Sequence, residues 1–417
     1  MSHKSALWFT TLAIAVVFTA YAAMVYSDLI DALGDAAPYF ISDWQINYAA
    51  GFVRRGLLGE FARILFVYLA IDTRTTIVVM QALSYVVFFV ASAVLLAPIV
   101  ARHPLLAFAV FSPMTIAFKA LDSGGSTSGL NTTGAKDIVF LALLAAQAVL
   151  SMRARTDPAA SDARLFILAL GWAAIVLVHE GFFVFLPFSA AMLILTARTQ
   201  IGSLKLALVA LPACLAFAIS AAFPGDATVG AAICASLGAG APTGCEKAGA
   251  IAWLTRPAIA NVMSTYYKIV QPPYILLTSV QAAMLGGVGL ALIAVDREIT
   301  KWALEALKNR GILIITIACI VVPIPIFLAS DHGRFLHVWF TSALIVIAAF
   351  VSCRTNYDSA PQSAGTPAGK VRVLTRALWL TFFVAYVISW SARGPCCPDR
   401  LGFGFLGRIF LLIVERL

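Results

Sequence analysis

Five short polar motifs stand out in an otherwise apolar chain. They are the segment 43–63 (DWQINYAAGFVRRGLLGEFAR), Lys119 with Asp122 and the GGSTSG that follows, Lys136 with Asp137, His179 with Glu180, and the run Asp331, His332, Gly333, Arg334. Only 12% of the 417 residues are charged and 61% are hydrophobic, so acids and arginines retained near lipid are functional candidates. Carboxylates and guanidinium groups together suit one kind of chemistry well. An arginine fork neutralises a phosphate or pyrophosphate, and a carboxylate takes the proton of an attacking hydroxyl. Asp43 and Glu180 are the candidate catalytic acids. Arg54, Arg55, Lys136, His179, Asp331, His332 and Arg334 are the candidate substrate and phosphate contacts. Blander readings stand beside these: snorkelling for Lys119 and Arg74, a flexible turn for GGSTSG, and local ion pairs for Lys136 with Asp137 and for Asp331 with Arg334.

The elements that must position these groups are membrane helices. A mean hydropathy of +0.93, with about half the charge content of a soluble domain, places the chain in the all-α polytopic membrane class. Its apolar segments are close to the roughly 20 residues that cross a bilayer as helix. Spans are expected near 6–26, 76–98, 104–120, 137–152, 164–179, 181–197, 205–223, 274–295, 311–329, 336–353 and 375–392. That makes about eleven transmembrane helices (10–12) in a single domain over 1–417, with the stretch from 401 open. The first reads as an uncleaved helix, too long for a typical signal h-region. The alternation of an outer-membrane barrel is absent.

Basic residues concentrate in short connections, among them Arg153, Arg155, Arg198, Lys205, Arg297, Lys301, Arg354 and Arg372, and this density places the N-terminus inside. The orientation requires 56–71 not to cross. That stretch puts Leu57, Leu58, Phe61, Leu65 and Tyr68 on one helical face, the pattern of a helix lying in the interface. The first outer loop, 27–75, is then long and expected to hold two short amphipathic helices parallel to the membrane. A second long outer loop covers 224–273, and 354–373 is a flexible inner linker rich in Pro, Gly and Ser. All five polar motifs then fall on the outer face.

Seven cysteines are present. Cys214, Cys319 and Cys353 lie in or at the ends of spans, whereas Cys234 and Cys245 share the second outer loop and are expected to form a disulfide there. No ligand set with metal spacing accompanies any of them. Walker A and HExxH patterns are missing, so nucleotide hydrolysis on a P-loop and zinc proteolysis have no support.

With its first span, long first outer loop and early loop acid, the chain resembles the GT-C superfamily of polytopic glycosyltransferases. The strings GFVRRGLLG, GAKD, HE and DHGR also look like motifs of surface-polysaccharide polymerases and transferases of bacterial envelopes. The resemblance implies a donor sugar on a polyprenyl phosphate or pyrophosphate, a glycan or other hydroxyl acceptor, and a site on the periplasmic side of the bacterial inner membrane. Membrane lipids surround such a protein, and nucleic acid is no partner. Asp43 best matches the family's catalytic carboxylate, with Glu180 the other candidate; a DxD motif is absent from the first loop. The superfamily contains both metal-dependent and metal-independent members, so the cofactor stays unknown. His179 or His332 would donate a hydrogen bond. Trp44, Tyr48, Tyr266 and Tyr267 would stack on sugars or belong to the interfacial aromatic belt. Rival readings are a transporter or flippase of an anionic lipid-linked substrate and a membrane acyltransferase.

Overall fold

A computed structural model describes residues 3–34, 39–102, 106–118, 135–153, 161–196, 202–238, 241, 245, 249–254, 310–322, 332–355, 390–391 and 402–403. These residues are helical almost throughout. The one exception in regular structure is a two-residue antiparallel pairing of Trp390–Ser391 with Gly402–Phe403.

Four helices are long and apolar enough to cross a membrane, at Trp8–Ser27, Thr73–Ala101, Ser203–Ala222 and Arg334–Cys353, among the described residues. The first lies within α1 (His3–Gly34), which continues past the expected end at residue 26. The second is α4 (Thr73–Arg102). It packs along α1 and along α6 (Asp137–Arg153), and the α1 contact includes Phe18 and Phe89 rings 5.7 Å apart. Helix α7 (Ser161–Val178) packs against α9 (Ser203–Ala222), and α8 (Leu186–Thr196) against α12 (Arg310–Val321) and α13 (His332–Thr355). Leu204, Leu208, Leu211 and Leu215 form an exposed stripe on α9, and Leu83, Val86, Val87, Val90 and Val94 another on α4. Spacings of three and four residues put each stripe on one face, as expected of a surface turned to lipid.

The segment expected to span 104–120 is not a membrane helix. Its described part holds α5 (Ala107–Val110), four residues long, followed by turns. Pro113 has no N–H to continue the ladder and its ring clashes with the preceding turn. The broken backbone is buried and finds side-chain partners, as it must away from water. The Thr115 hydroxyl lies 2.5 Å from the Ala109 carbonyl, and His337 Nδ1 lies 3.0 Å from that of Met114.

The first loop holds two short helices, α2 (Tyr39–Trp44) and α3 (Leu57–Leu69), with different settings. Helix α3 buries Gly59 and Ala62 and exposes Phe61, Ile64, Val67 and Tyr68, an apolar face left open. Helix α2 departs from the expected interfacial helix, since Ile41, Ser42, Asp43 and Trp44 are all buried. The second loop supplies α10 (Ala227–Ser236) and α11 (Gly249–Leu254), and α11 packs on α2. The Ala250 amide donates to Ser42 Oγ at 2.7 Å. Ile46 and Val53 join Ile233, Leu237, Ile251 and Leu254 in a small second core. Cys234 and Cys245 are joined by a disulfide inside that core. The expected spans 274–295 and 375–392 and the linker from 356 onward lie outside the described residues, apart from residues 390–391.

Candidate functional site

Five short stretches of sequence bring their charges to one end of the bundle. Asp43 closes α2; Arg54 and Arg55 sit just before α3; Lys136 and Asp137 begin α6; His179 and Glu180 follow α7; Arg334 stands in the first turn of α13. Two glycines make the loop geometry possible. A Cβ on Gly59 would run into the carbonyl oxygens of Ile46 and Trp44, and one on Gly56 into the Tyr48 ring. Glu60, in the first turn of α3, fixes the same loop by accepting from the Tyr48 amide at 3.0 Å. Its other oxygen pairs with Arg63 at 2.6 Å.

Arg55 is the hinge of the cluster. Its backbone is left-handed (φ 66°), a conformation costly for a residue with a Cβ and found preferentially where surrounding structure holds it for a purpose. Lys136 Nζ donates to its carbonyl at 2.9 Å. The guanidinium grips Glu180, with Nε 2.8 Å from Oε2 and Nη2 2.6 Å from Oε1. Its Nη1 lies 3.7 Å from Asp43 Oδ1. Arg54 approaches the same Glu180 at 3.2 Å, while its own amide donates to the Phe223 carbonyl at 3.1 Å. Lys136 Nζ lies 3.7 Å from Asp43 Oδ2. On the far side, Arg334 Nε lies 3.4 Å from Asp137 Oδ1. Asp137 opens α6, where the helix dipole favours an anion.

Exposure falls steeply from one edge of the cluster to the other. The side chains of Arg54, Arg55 and Glu180 are 17–23% exposed, that of Asp43 is 6% and that of Lys136 is 0%. Burial alone would raise the Asp43 pKa, but Lys136, Arg55, His179 and Arg334 outweigh it and hold the carboxyl below its ordinary range. The same balance lowers Glu180: burial, the largest single influence, would raise it, and Arg55, His179 and Arg54 together outweigh burial. Burial lowers the Lys136 pKa to about 8, with Asp43 pulling the other way. His179 caps the following 3-10 turn (Glu180–Phe185), its Nδ1 accepting from the Gly181 amide at 3.0 Å. That bond assigns the ring proton of the neutral imidazole to Nε2. Four cations (Arg54, Arg55, Lys136, Arg334) then face three carboxylates (Asp43, Asp137, Glu180), an excess of one positive charge.

The structure therefore assembles Asp43, Arg54, Arg55, Lys136, His179, Glu180 and Arg334. Asp331, Tyr266, Tyr267, Lys119 and Asp122 lie outside the described residues, as does the side chain of His332. His332, Gly333 and Arg334 do not form the expected turn between spans, because α13 already begins at His332. Trp44 is 0% exposed and cannot stack on a ligand, whereas Tyr48 is half-buried and stacks on Phe52. Sequence reasoning passed over Asp137 as the partner of Arg334 and Glu60 as the clamp of the 43–56 loop. The acid in the first turn of each helix was the available signal. No group of three His, Cys, Asp or Glu is placed to hold a metal, among the described residues.

No protein-family model, curated protein or solved structure matches the chain. Fold and site alone define its class: a protein helical almost throughout its described residues, with membrane-length apolar helices and a partly buried charge cluster at one end of the bundle.

Proposed function

We propose that the chain is an integral membrane glycosyltransferase of the GT-C kind. It moves a sugar or glycan from a polyprenyl phosphate or pyrophosphate to an acceptor hydroxyl on the outer face of a bacterial inner membrane, within a bundle of about eleven spans. The observation that carries this reading is a buried carboxylate, Asp43, set behind two arginines and beside a lysine at the bundle's end. In the reaction, Asp43 takes the proton of the acceptor hydroxyl as its oxygen attacks the anomeric carbon. The bond from that carbon to the phosphate oxygen breaks, and its electron pair leaves with the phosphate, toward Arg54, Arg55 and Arg334. An ionised carboxylate held this low is a weak base at rest. An arriving phosphate draws on the same cations, so the proton affinity of Asp43 rises when substrate is in place.

A transporter would set its charges near the midplane of its spans, and here they gather at one end. An acyltransferase would use His179 as base, but its Nδ1 is already engaged by the Gly181 amide. The test is release of polyprenyl phosphate or pyrophosphate by the purified full chain from a panel of radiolabelled lipid-linked sugars. Wild type should turn over at least one donor, and Asp43→Asn, Glu180→Gln and Arg334→Ala should not match it. Equal turnover by all three variants would sink the proposal.

A further inference from the structure

We infer that Glu180 is a built-in occupant of the anion site formed by Arg54 and Arg55, and that a phosphoryl group binds there by displacing it. This refines the phosphate-clamp role of the two arginines, and it takes only the identity of the ligand from the reading above. Three observations carry it. First, Arg55 holds Glu180 through two nitrogens and both carboxylate oxygens, at 2.6–3.0 Å. A guanidinium grips a phosphate through the same fork-to-fork geometry. Second, Arg54 closes on the same carboxylate from another side, so both arginines aim at one point. Third, this point lies at the more exposed edge, with Glu180 17% and Arg55 23% exposed against 6% for Asp43. A ligand entering from that edge meets Glu180 before it meets Asp43.

Exchange at the site keeps the chemistry of the contact. One bidentate anion leaves the arginines, another takes its place, and the guanidinium charges stay matched throughout. Arg55 itself need not rebuild, because Lys136 holds its carbonyl and fixes the backbone from behind. Glu180 belongs to a 3-10 turn whose first residue follows a cap, a short element that can swing its acid outward without unwinding a long helix.

The test titrates sodium sulfate, a tetrahedral dianion of constant charge near neutral pH, into the full chain in detergent at fixed ionic strength. Affinity is read by calorimetry. Glu180→Gln should bind sulfate about ten-fold more tightly than wild type, as expected when an internal competitor is removed. Asp72→Asn removes the same charge from a carboxylate bonded to Thr75 at the start of α4 rather than to either arginine, so its change should be clearly smaller. Unchanged or weaker binding by Glu180→Gln, or an equal gain from Asp72→Asn, overturns the inference. Should Glu180→Gln fail to fold, Glu180→Asp decides. A carboxylate one methylene shorter should loosen the fork and tighten sulfate by a smaller factor, and an unchanged affinity overturns the inference. No sugar enters the assay, so its outcome is separate from whether any donor is turned over.

Discussion

Lys136 donates to the main-chain carbonyl of Arg55 at 2.9 Å, across 81 residues of sequence. This contact ties the start of α6 to a backbone held at φ 66°. Lys136→Met should therefore act on the shape of the arginine loop as well as on local charge. Removing one member of a buried charge pair costs on the order of 3–5 kcal/mol. The expected outcome is a lower thermal midpoint and loss of sulfate binding together; retention of both would show that Arg55 keeps its conformation unaided.

Asp43→Asn should separate binding from chemistry. The variant keeps every cation and raises the excess positive charge of the cluster, so sulfate affinity should hold or improve. Turnover should fall by roughly 10²–10⁴, the usual contribution of a positioned base. Parallel losses of binding and turnover would assign Asp43 a structural role instead.

Acidity offers a third check. Lys136, with its pKa lowered from 10.5 to about 8, loses its charge as pH rises through 8. The cluster then loses its excess positive charge, and sulfate binding should weaken across that point. Folding stability moves oppositely in the window from about 8 to 10.5, where the unfolded chain holds a proton the folded one has released. Asp43, held below its ordinary value of 3.8, adds stability that is present above that value and lost as pH falls through its lowered one. A sulfate-binding profile flat from pH 7 to 9 would contradict the environment described for Lys136.

The two glycines Gly59 and Gly171 should respond in opposite ways to alanine. A Cβ at Gly59 meets the main chain of Ile46 and Trp44, and backbone cannot step aside. Overpacking of this kind costs about 1–3 kcal/mol or more, and here it would also push Asp43 away from Arg55. Gly171, inside α7, has nothing within 4 Å of an added Cβ, so Gly171→Ala should stabilise the helix by about 1 kcal/mol. Thermal midpoints in detergent measure both.

The disulfide gives a fifth test. Cys234 and Cys245 are separated by 11 residues, and closing so short a loop contributes about 2–3 kcal/mol. Because the bridged segment packs on Ile46 and Val53, Cys234→Ser with Cys245→Ser should loosen the loop that carries Asp43, Arg54 and Arg55. Sulfate affinity should fall along with stability. A variant less stable but unchanged in affinity would separate the cap from the site.

Much of the charge cluster was legible because each of its motifs interrupts an apolar run, and polar residues at span ends have few places to go. Successive helices carried Lys136, Glu180 and Arg334 to the same end once the order of turns was followed. What escaped were relationships made across long separations. Asp43 reads as interfacial in its own stretch, and contacts made far along the chain, with Lys136 and with α11 packed on its helix, bury it. Trp44 lies in the main helical core. The stretch 104–120 has the hydropathy of a span, yet Pro113 breaks it and side chains elsewhere, such as His337, take up the freed carbonyls. Arg334 follows a glycine that suggested a turn, but the helix it belongs to had already started.

The charges run in an alternating row: Arg54, Glu180, Arg55, Asp43, Lys136. Its consequence is evolutionary. Losing one member strands its neighbours, at a cost of several kcal/mol against a total stability of order 5–15 kcal/mol. Such a row resists revision one letter at a time. Diverging descendants should keep these five positions intact, or exchange them in compensating pairs, while the lipid-facing leucines of α9 drift freely.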